Sequence, residues 1–189
     1  MYHLRKDFDS IDGQNTPSVR LERRYESRLI ADRVDAVAGA IDRDVKGRPL
    51  VVVSILKGAA VFMSDLTRRM RGPFSCEYLH VRRAEGAGDV LQIDFTTGFS
   101  VKGRHVLLLK DVVHTGITEN YLMEHLRDGG ATSLKLAAII DRPLDRKANV
   151  PVDFSLFSSE SEELYAGYGM EHDGLHAHLP DIYEVVPEQ

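Results

Sequence analysis

The stretch Lys110-Asp111-Val112-Val113-His114-Thr115-Gly116-Ile117-Thr118 carries the densest chemistry in the chain. Gly116 lets the backbone curl where a Cβ would obstruct it. Backbone N–H groups and the hydroxyls of Thr115 and Thr118 can then converge on one concavity. A helix opening at this point adds partial positive charge. Such a convergence suits a phosphate, so Thr115, Gly116, Ile117 and Thr118 are candidate phosphate ligands. Asp111 lies a few residues upstream, where a carboxylate can meet the hydroxyls of an attached sugar or a metal ion on them. Phosphate together with a diol describes a ribose 5-phosphate. The same residues also suit a plain strand–loop–helix turn capped by Thr115, because short glycine loops are common.

Apolar segments are placed to carry this loop. His105 to Leu109 (HVLLL) is a strand-length apolar run leading into it, and Tyr121, Leu122, His125 and Leu126 form one stripe of a helix after it, closed by Gly129-Gly130. Leu50 to Leu56 (LVVVSIL) is a nearly continuous apolar run, as expected for a strand buried on both faces of a parallel sheet. Lys57-Gly58 follows it, then a helix over Val61 to Met70. Leu134 to Ile140 is a third buried strand and Asp153 to Phe157 a fourth. Leu29, Ile30, Val34, Val37, Ala38 and Ile41 recur at helical spacing within Glu26 to Ile41. Cys76 to Val81 and Val90 to Phe95 read as shorter strands. Between them Arg82 to Asp89 (RRAEGAGD) reads as a mobile loop, and residues 1–19 as a polar N-terminal arm. Strand–helix alternation implies an α/β fold: an open, mostly parallel sheet with right-handed crossovers, whose ligands sit at the carboxyl ends of the strands.

Composition bounds the function. A chain of 189 residues suits one domain over 1–189, with 43% hydrophobic and 28% charged residues. The formal net charge of -5 argues against a general nucleic-acid binder. A single cysteine, Cys76, excludes an internal disulfide and a cysteine-based zinc cage. No apolar run approaches the ~20 residues that span a bilayer, and the N-terminus lacks an apolar signal core. The expectation is a cytoplasmic protein with no membrane and no nucleic-acid partner. His172, Asp173, His176 and His178 crowd together, but His-Asp-Gly reads as a turn and no third ligand has metal-site spacing. Asp141 to Lys147 reads, apart from Arg142, as a solvated loop.

The chain resembles the type I phosphoribosyltransferases, and within them the hypoxanthine-guanine branch. Leu107 to Thr118 resembles the phosphoribosyl-diphosphate motif: apolar strand, two acids, two apolar residues, then acid-Thr-Gly-x-Thr. Ser54 to Gly58 is similar to the pyrophosphate loop, whose leucine–lysine peptide is cis in the family. Ala137 to Pro143 is similar to the strand leading to the purine-reading lysine. Tyr165 to Glu171 resembles the last purine-contacting segment. The resemblance runs in order from about Glu26 to about Val185. It implies a type I phosphoribosyltransferase-like fold with a small hood, of which 143–189 is part.

Site roles follow from that resemblance. Thr115 to Thr118 would hold the 5-phosphate, Asp111 and Lys110 the ribose, and Lys57 and Gly58 the pyrophosphate. Arg82 and Arg83 would add cations to the closing loop. Arg142, Leu164 and Tyr165 would read the purine, and Asp111 and Glu171 would bind Mg²⁺. Several positions depart from the family pattern. Lys110 replaces the first acid. His114 replaces the aspartate near purine N7, and is compatible with a general base, with a ligand hydrogen-bonder or with a solvated histidine. Arg142 replaces the lysine that donates to the purine 6-oxo group; its bland alternative is a surface ion pair with Asp141 or Asp145. Leu164 stands at the stacking aromatic, with Tyr165 next door. Glu171 replaces an aspartate, Ala177 a pyrophosphate-binding arginine, and the loop over 82–89 lacks the usual serine-tyrosine pair. The activity implied is conversion of hypoxanthine or guanine and phosphoribosyl diphosphate to IMP or GMP and pyrophosphate, by a homodimer or homotetramer. The departures keep two alternatives open: a non-catalytic nucleotide-sensing protein on the same fold, and a transferase for a different base.

Overall fold

The structure, a computed structural model, describes residues 19–83, 91–95, 98–160, 162 and 164–187, with the backbone alone at residues 82, 83, 91, 92, 95 and 187. Its elements, in chain order, are β1 (Val19–Tyr25), α1 (Ser27–Val45), β2 (Leu50–Leu56), α2 (Ala60–Thr67), β3 (Phe74–Arg83), β4 (Leu91–Phe95) and β5 (His105–Val113). Then come α3 (Ile117–Asp128), β6 (Ser133–Asp141), a 3-10 turn (Pro143–Asp145), β7 (Phe154–Ser158), β8 (Leu164–Ala166) and β9 (Ile182–Pro187).

Six strands form the main sheet in the order β4-β3-β2-β5-β6-β7. The five from β3 to β7 are parallel, and β4 closes the edge antiparallel to β3. Period-two alternation divides β2 between two cores. Leu50 and Val52 face α1 and α2, while Val51, Val53 and Ile55 face α3. All seven β2 positions from Leu50 to Leu56 are consequently buried or nearly so, which is why the run is apolar throughout. α1 lays Ile30, Val34, Val37, Ala38 and Ile41 on the first core; α3 lays Leu122, Met123 and Leu126 on the second. Among the described residues no helix is long and apolar enough to cross a membrane.

The hood is a separate three-stranded antiparallel sheet, β1-β9-β8. It joins the two ends of the chain, and the stacked rings of Tyr25 and Phe157, with centroids 3.7 Å apart, tie it to the main sheet.

The structure corrects four readings of the sequence. Val19 belongs to β1, so the N-terminal arm ends before it; residues 1–18 lie outside the described residues. Arg82 and Arg83 are strand residues rather than loop, because β4 pairs back on them (Arg82 with Gln92, Arg83 with Leu91); 84–89 lie outside the described residues. Lys110 to Val113 continue β5 instead of opening the loop, held by β6 as far as the Val113–Asp141 pair. Of 143–189, β7 joins the main sheet and only the later strands enter the hood.

Candidate active site

The carboxyl ends of β2 and β5 meet at Gly58 and Asp111. A Cβ on Gly58 would lie 2.0 Å from Asp111 Oδ2 and 2.9 Å from Asp111 Cβ. The turn after β2 can therefore touch the end of β5 only with glycine at 58. From the hood, Gly169 also comes near Gly58: a Cβ at 169 would stand 2.9 Å from the Gly58 carbonyl oxygen. The Leu56–Lys57 peptide between β2 and this glycine is cis. Lys57 reaches back across the gap and its Nζ donates to Glu171 Oε1 at 3.2 Å. Both partners are exposed, so the pair contributes only ~0–1 kcal/mol to stability and is free to rearrange around a ligand.

Asp111 is held rigidly. Its Oδ1 accepts from the Val112 amide at 2.8 Å and from Lys110 Nζ. Lys110, which stands at an acidic position of the resembled motif, thus turns to Asp111. Its charge also acts on Glu119, a residue only 4% exposed in the first turn of α3. Burial pushes the Glu119 carboxyl above the usual carboxylate range, and Asp111 adds to the rise. Lys110, the Glu119 amide and Arg146 pull the other way.

His114 to Gly116 forms the turn from β5 into α3. Gly116 has φ 76°, in the left-handed region, and its carbonyl accepts the first α3 bond from the Asn120 amide at 2.8 Å. The amides of the first turn precede that ladder. Chain 141–148 folds back over the turn. The Lys147 and Ala148 amides donate to Thr115 O at 2.8 and 3.1 Å, and Arg146 packs where a Gly116 Cβ would sit, 2.8 Å from Arg146 Cδ. Arg146 also pairs with Asp141. This corrects the solvated-loop reading of 141–147: Asp141, Asp145 and Arg146 are site-forming and half-buried. Asp145 Oδ2 sits 3.2 Å from His114 Nε2 and 2.6 Å from Arg142 Nη2. The Arg142 pair is buried, not a surface one, with the arginine side chain 7% exposed.

These segments enclose one cavity of about 310 Å³, lined by Lys57, Gly58, Asp111, Val112, His114, Arg142, Leu164, Tyr165, Met170 and Glu171. Eight of the residues with roles expected from the sequence, other than phosphate binding, line it: Lys57, Gly58, Asp111, His114, Arg142, Leu164, Tyr165 and Glu171. Thr115, Gly116, Ile117 and Thr118 form the adjoining turn outside that lining, and Lys110 is also outside it. A second cavity, about 260 Å³, lies at the opposite ends of the strands around His105, Ser133 and Lys135, away from these groups.

Known proteins of one family resemble the chain over most of its length. The phosphoribosyl transferase domain family matches residues 22–173. The chain belongs to the phosphoribosyltransferase family. It is 34% identical over 152 residues to a hypoxanthine-guanine phosphoribosyltransferase of Staphylococcus aureus, covering 78% of this chain and 84% of the relative. A crystal structure of a hypoxanthine phosphoribosyltransferase from Staphylococcus aureus superposes with a TM-score of 0.80 at 30% identity, over 87% of this chain and 90% of the other. That of Trypanosoma cruzi gives 0.78 at 29% identity, over 88% and 97%. The protein is thus a phosphoribosyltransferase enzyme on a type I fold.

Two site features of this phosphoribosyltransferase are set by β8. Pairing with β9 sends Leu164 outward, 60% exposed at the rim, and Tyr165 inward, 6% exposed with its hydroxyl 2.6 Å from Ser159 Oγ. Ala177 serves through its backbone: its carbonyl accepts from the Gly169 amide at 3.0 Å. His172 and Leu175 close the expected turn; burial, with His172 and His178 nearby, pushes His176 below the usual imidazole value. Among the described residues no cluster of three or more metal-type side chains could hold an ion by itself. Sequence reasoning missed Met170, Val112, Glu119 and the bridging role of Asp145. Glu119 carried a signal, an acid inside the first turn of the helix that the sequence reads as facing a phosphate; Asp145 carried none in linear spacing.

Proposed function

We propose that this phosphoribosyltransferase moves the 5-phosphoribosyl group of phosphoribosyl diphosphate to hypoxanthine or guanine, forming IMP or GMP and pyrophosphate. The observation that carries the reading is the joint cavity. Lys57 and Gly58 from the turn after β2, Asp111 from β5, His114 just after β5, Arg142 just after β6, and Leu164 and Glu171 from the hood all line it, although they are far apart in sequence. The activities for which the relatives are named support the same substrates.

In this reading the Thr115–Thr118 turn holds the 5-phosphate through its amides and hydroxyls, where the α3 N-terminus favours an anion. Asp111 accepts from the ribose hydroxyls, and Lys57 turns from Glu171 to the leaving pyrophosphate. Arg142 donates to the purine 6-oxo group, with Leu164 covering the ring from the hood. Arg142 Nε is buried and has no partner among the described residues, which suits a donor awaiting a ligand oxygen. His114 stands beside the five-membered ring of the base as proton acceptor. Transition-state charge on the ribosyl carbon is met by fixed polar groups of the cavity.

Asp111 and Glu171 suit Mg²⁺: both are hard oxygen donors on the same cavity, and this ion is commonly held by one or two carboxylates plus substrate oxygens. Bound there, it would neutralise charge on the pyrophosphate. The test is incorporation of radiolabelled hypoxanthine or guanine into nucleotide with phosphoribosyl diphosphate and Mg²⁺. Labelled IMP or GMP is expected; no nucleotide from any 6-oxopurine at high enzyme concentration would defeat the reading. Adenine and pyrimidines in the same panel test the choice of base.

A further inference from the structure

Asp145 lies at the centre of a polar bridge that joins two walls of the cavity. One of its oxygens, Oδ2, meets His114 Nε2 at 3.2 Å and Arg142 Nη2 at 2.6 Å. His114 follows the end of β5 and Arg142 the end of β6, so the bridge spans two strands. The residue rides on the Pro143–Asp145 turn, whose backbone is pinned by the Asp145 amide on Arg142 O and the Arg146 amide on Pro143 O.

The chemistry of the bridge is directional. An ionised carboxylate only accepts hydrogen bonds, whereas a neutral imidazole has one donor and one acceptor nitrogen. Facing Nε2, the carboxylate keeps the ring proton there and leaves the Nδ1 lone pair as the acceptor. It also lies between two groups that would otherwise oppose each other. The Arg142 guanidinium is buried and permanently charged. Without Asp145 it would disfavour a second positive charge on His114. Lys57, Asp111 and Glu171 also line the cavity, and Arg146 is engaged with Asp141. Among the described residues, Asp145 is the carboxylate paired with His114.

We propose that Asp145 is a positioning residue for phosphoribosyl transfer, one that orients His114 to take a proton from the base and shields it from the charge of Arg142. The inference rests on the reading that a 6-oxopurine occupies this cavity. In the step, an N–H bond of the base breaks and its electron pair stays on the ring. The base nitrogen bonds to the ribosyl carbon, the bond from that carbon to pyrophosphate oxygen breaks with its pair leaving on pyrophosphate, and the proton rests on His114 beside Asp145.

The experiment is steady-state kinetics of Asp145→Asn in two backgrounds, the natural chain and His114→Asp. A carboxylate at 114 can itself accept the proton and would repel Asp145, so the need for Asp145 disappears there. In the natural background kcat is expected to fall ~10–100-fold, a part of the ~10²–10⁴-fold that a general base contributes, with KM for phosphoribosyl diphosphate within about threefold; Asp145→Glu should recover most of the loss. In the His114→Asp background the same change should leave kcat equal or raise it. A structural role would lower kcat alike in both. Equal losses, or a natural-background kcat within about threefold of the unmodified enzyme, overturn the proposal. Should Asp145→Asn fail to fold by circular dichroism, Asp145→Glu decides alone. Turnover within about fivefold of natural supports the carboxylate's role, and a folded variant as slow as His114→Ala overturns it. If the unmodified enzyme transfers no ribosyl group to 6-oxopurines, the substrate reading fails and takes this proposal with it; an active enzyme indifferent to Asp145 sinks the proposal alone.

Discussion

Replacing Gly58 by alanine tests how the site is assembled. The new Cβ would stand 2.0 Å from Asp111 Oδ2, 2.7 Å from its Cγ and 2.9 Å from its Cβ. An unstrained contact between heavy atoms lies near ~3.5 Å, so the worst overlap is about 1.5 Å. Asp111 cannot simply swing aside without leaving the Val112 amide and Lys110. Nor can the β2 turn retreat freely, because Gly169 stands against the Gly58 carbonyl. Overpacking of this kind costs about 1–3 kcal/mol, which for a domain of this size lowers Tm by roughly 2–4 °C per kcal/mol. The larger effect is on turnover, since a displacement of about 1 Å in a group that positions substrate can cost ~100-fold. Gly58→Ala should therefore lower kcat/KM for phosphoribosyl diphosphate about 100-fold, measured by product formation at saturating base, with a modest fall in Tm. In an Asp111→Ala background, two of the three overlapping atoms are gone, and the Tm penalty of Gly58→Ala should shrink by half or more. A Gly58→Ala enzyme within about threefold of natural kcat/KM, at unchanged Tm, would refute the claim that this glycine sets the Asp111 position.

Other substitutions probe the remaining walls. Gly116→Ala imposes a side chain on a residue at φ 76° and pushes on Arg146, so KM for phosphoribosyl diphosphate should rise at least tenfold while Tm falls by a few degrees; an unchanged KM contradicts the phosphate role of the turn. Arg142→Lys keeps the charge but loses the fork that meets Asp145, so kcat/KM for guanine should fall about 10–100-fold in initial-rate assays, and equal activity would count against a purine-reading guanidinium. Glu119→Gln removes a buried acid whose folded value is raised. Its protonated form favours the fold, so its contribution is fully present below the ordinary carboxyl value of 4.5 and is lost as pH rises through the higher folded value. Urea titrations from about pH 4 to 7 should show the natural chain losing stability relative to Glu119→Gln as pH rises; parallel curves, or the opposite slope, would mean that Lys110 and Arg146 outweigh burial and Asp111 in setting this carboxyl.

The elements that build the cavity were mostly legible because their patterns are strong. α1 shows five buried positions at helical spacing, and β2 is apolar on both faces because it lies between two helix layers. β1 was not legible: Val19 to Tyr25 is largely charged, and it is a strand only because β9 from the other end of the chain pairs with it. The same limit hid the end of β5, whose Lys110 and Asp111 read as loop until β6 pairs with Lys110, Val112 and Val113. At the site, residues on the resembled motifs were legible one by one, and the cavity brings most of them together. Asp145 could be tied to Arg142 three positions before it, but nothing in the sequence links it to His114, since that contact exists only when the ends of β5 and β6 lie side by side.

The most direct measurement of the central claim is a crystal structure of the enzyme with GMP bound. Phosphate oxygens are expected within hydrogen-bond distance of the Thr115–Thr118 amides and hydroxyls, the ribose on Asp111, and the guanine oxygen on Arg142 with His114 beside the imidazole ring. GMP lodged elsewhere, or bound with its phosphate clear of that turn, would contradict the claim.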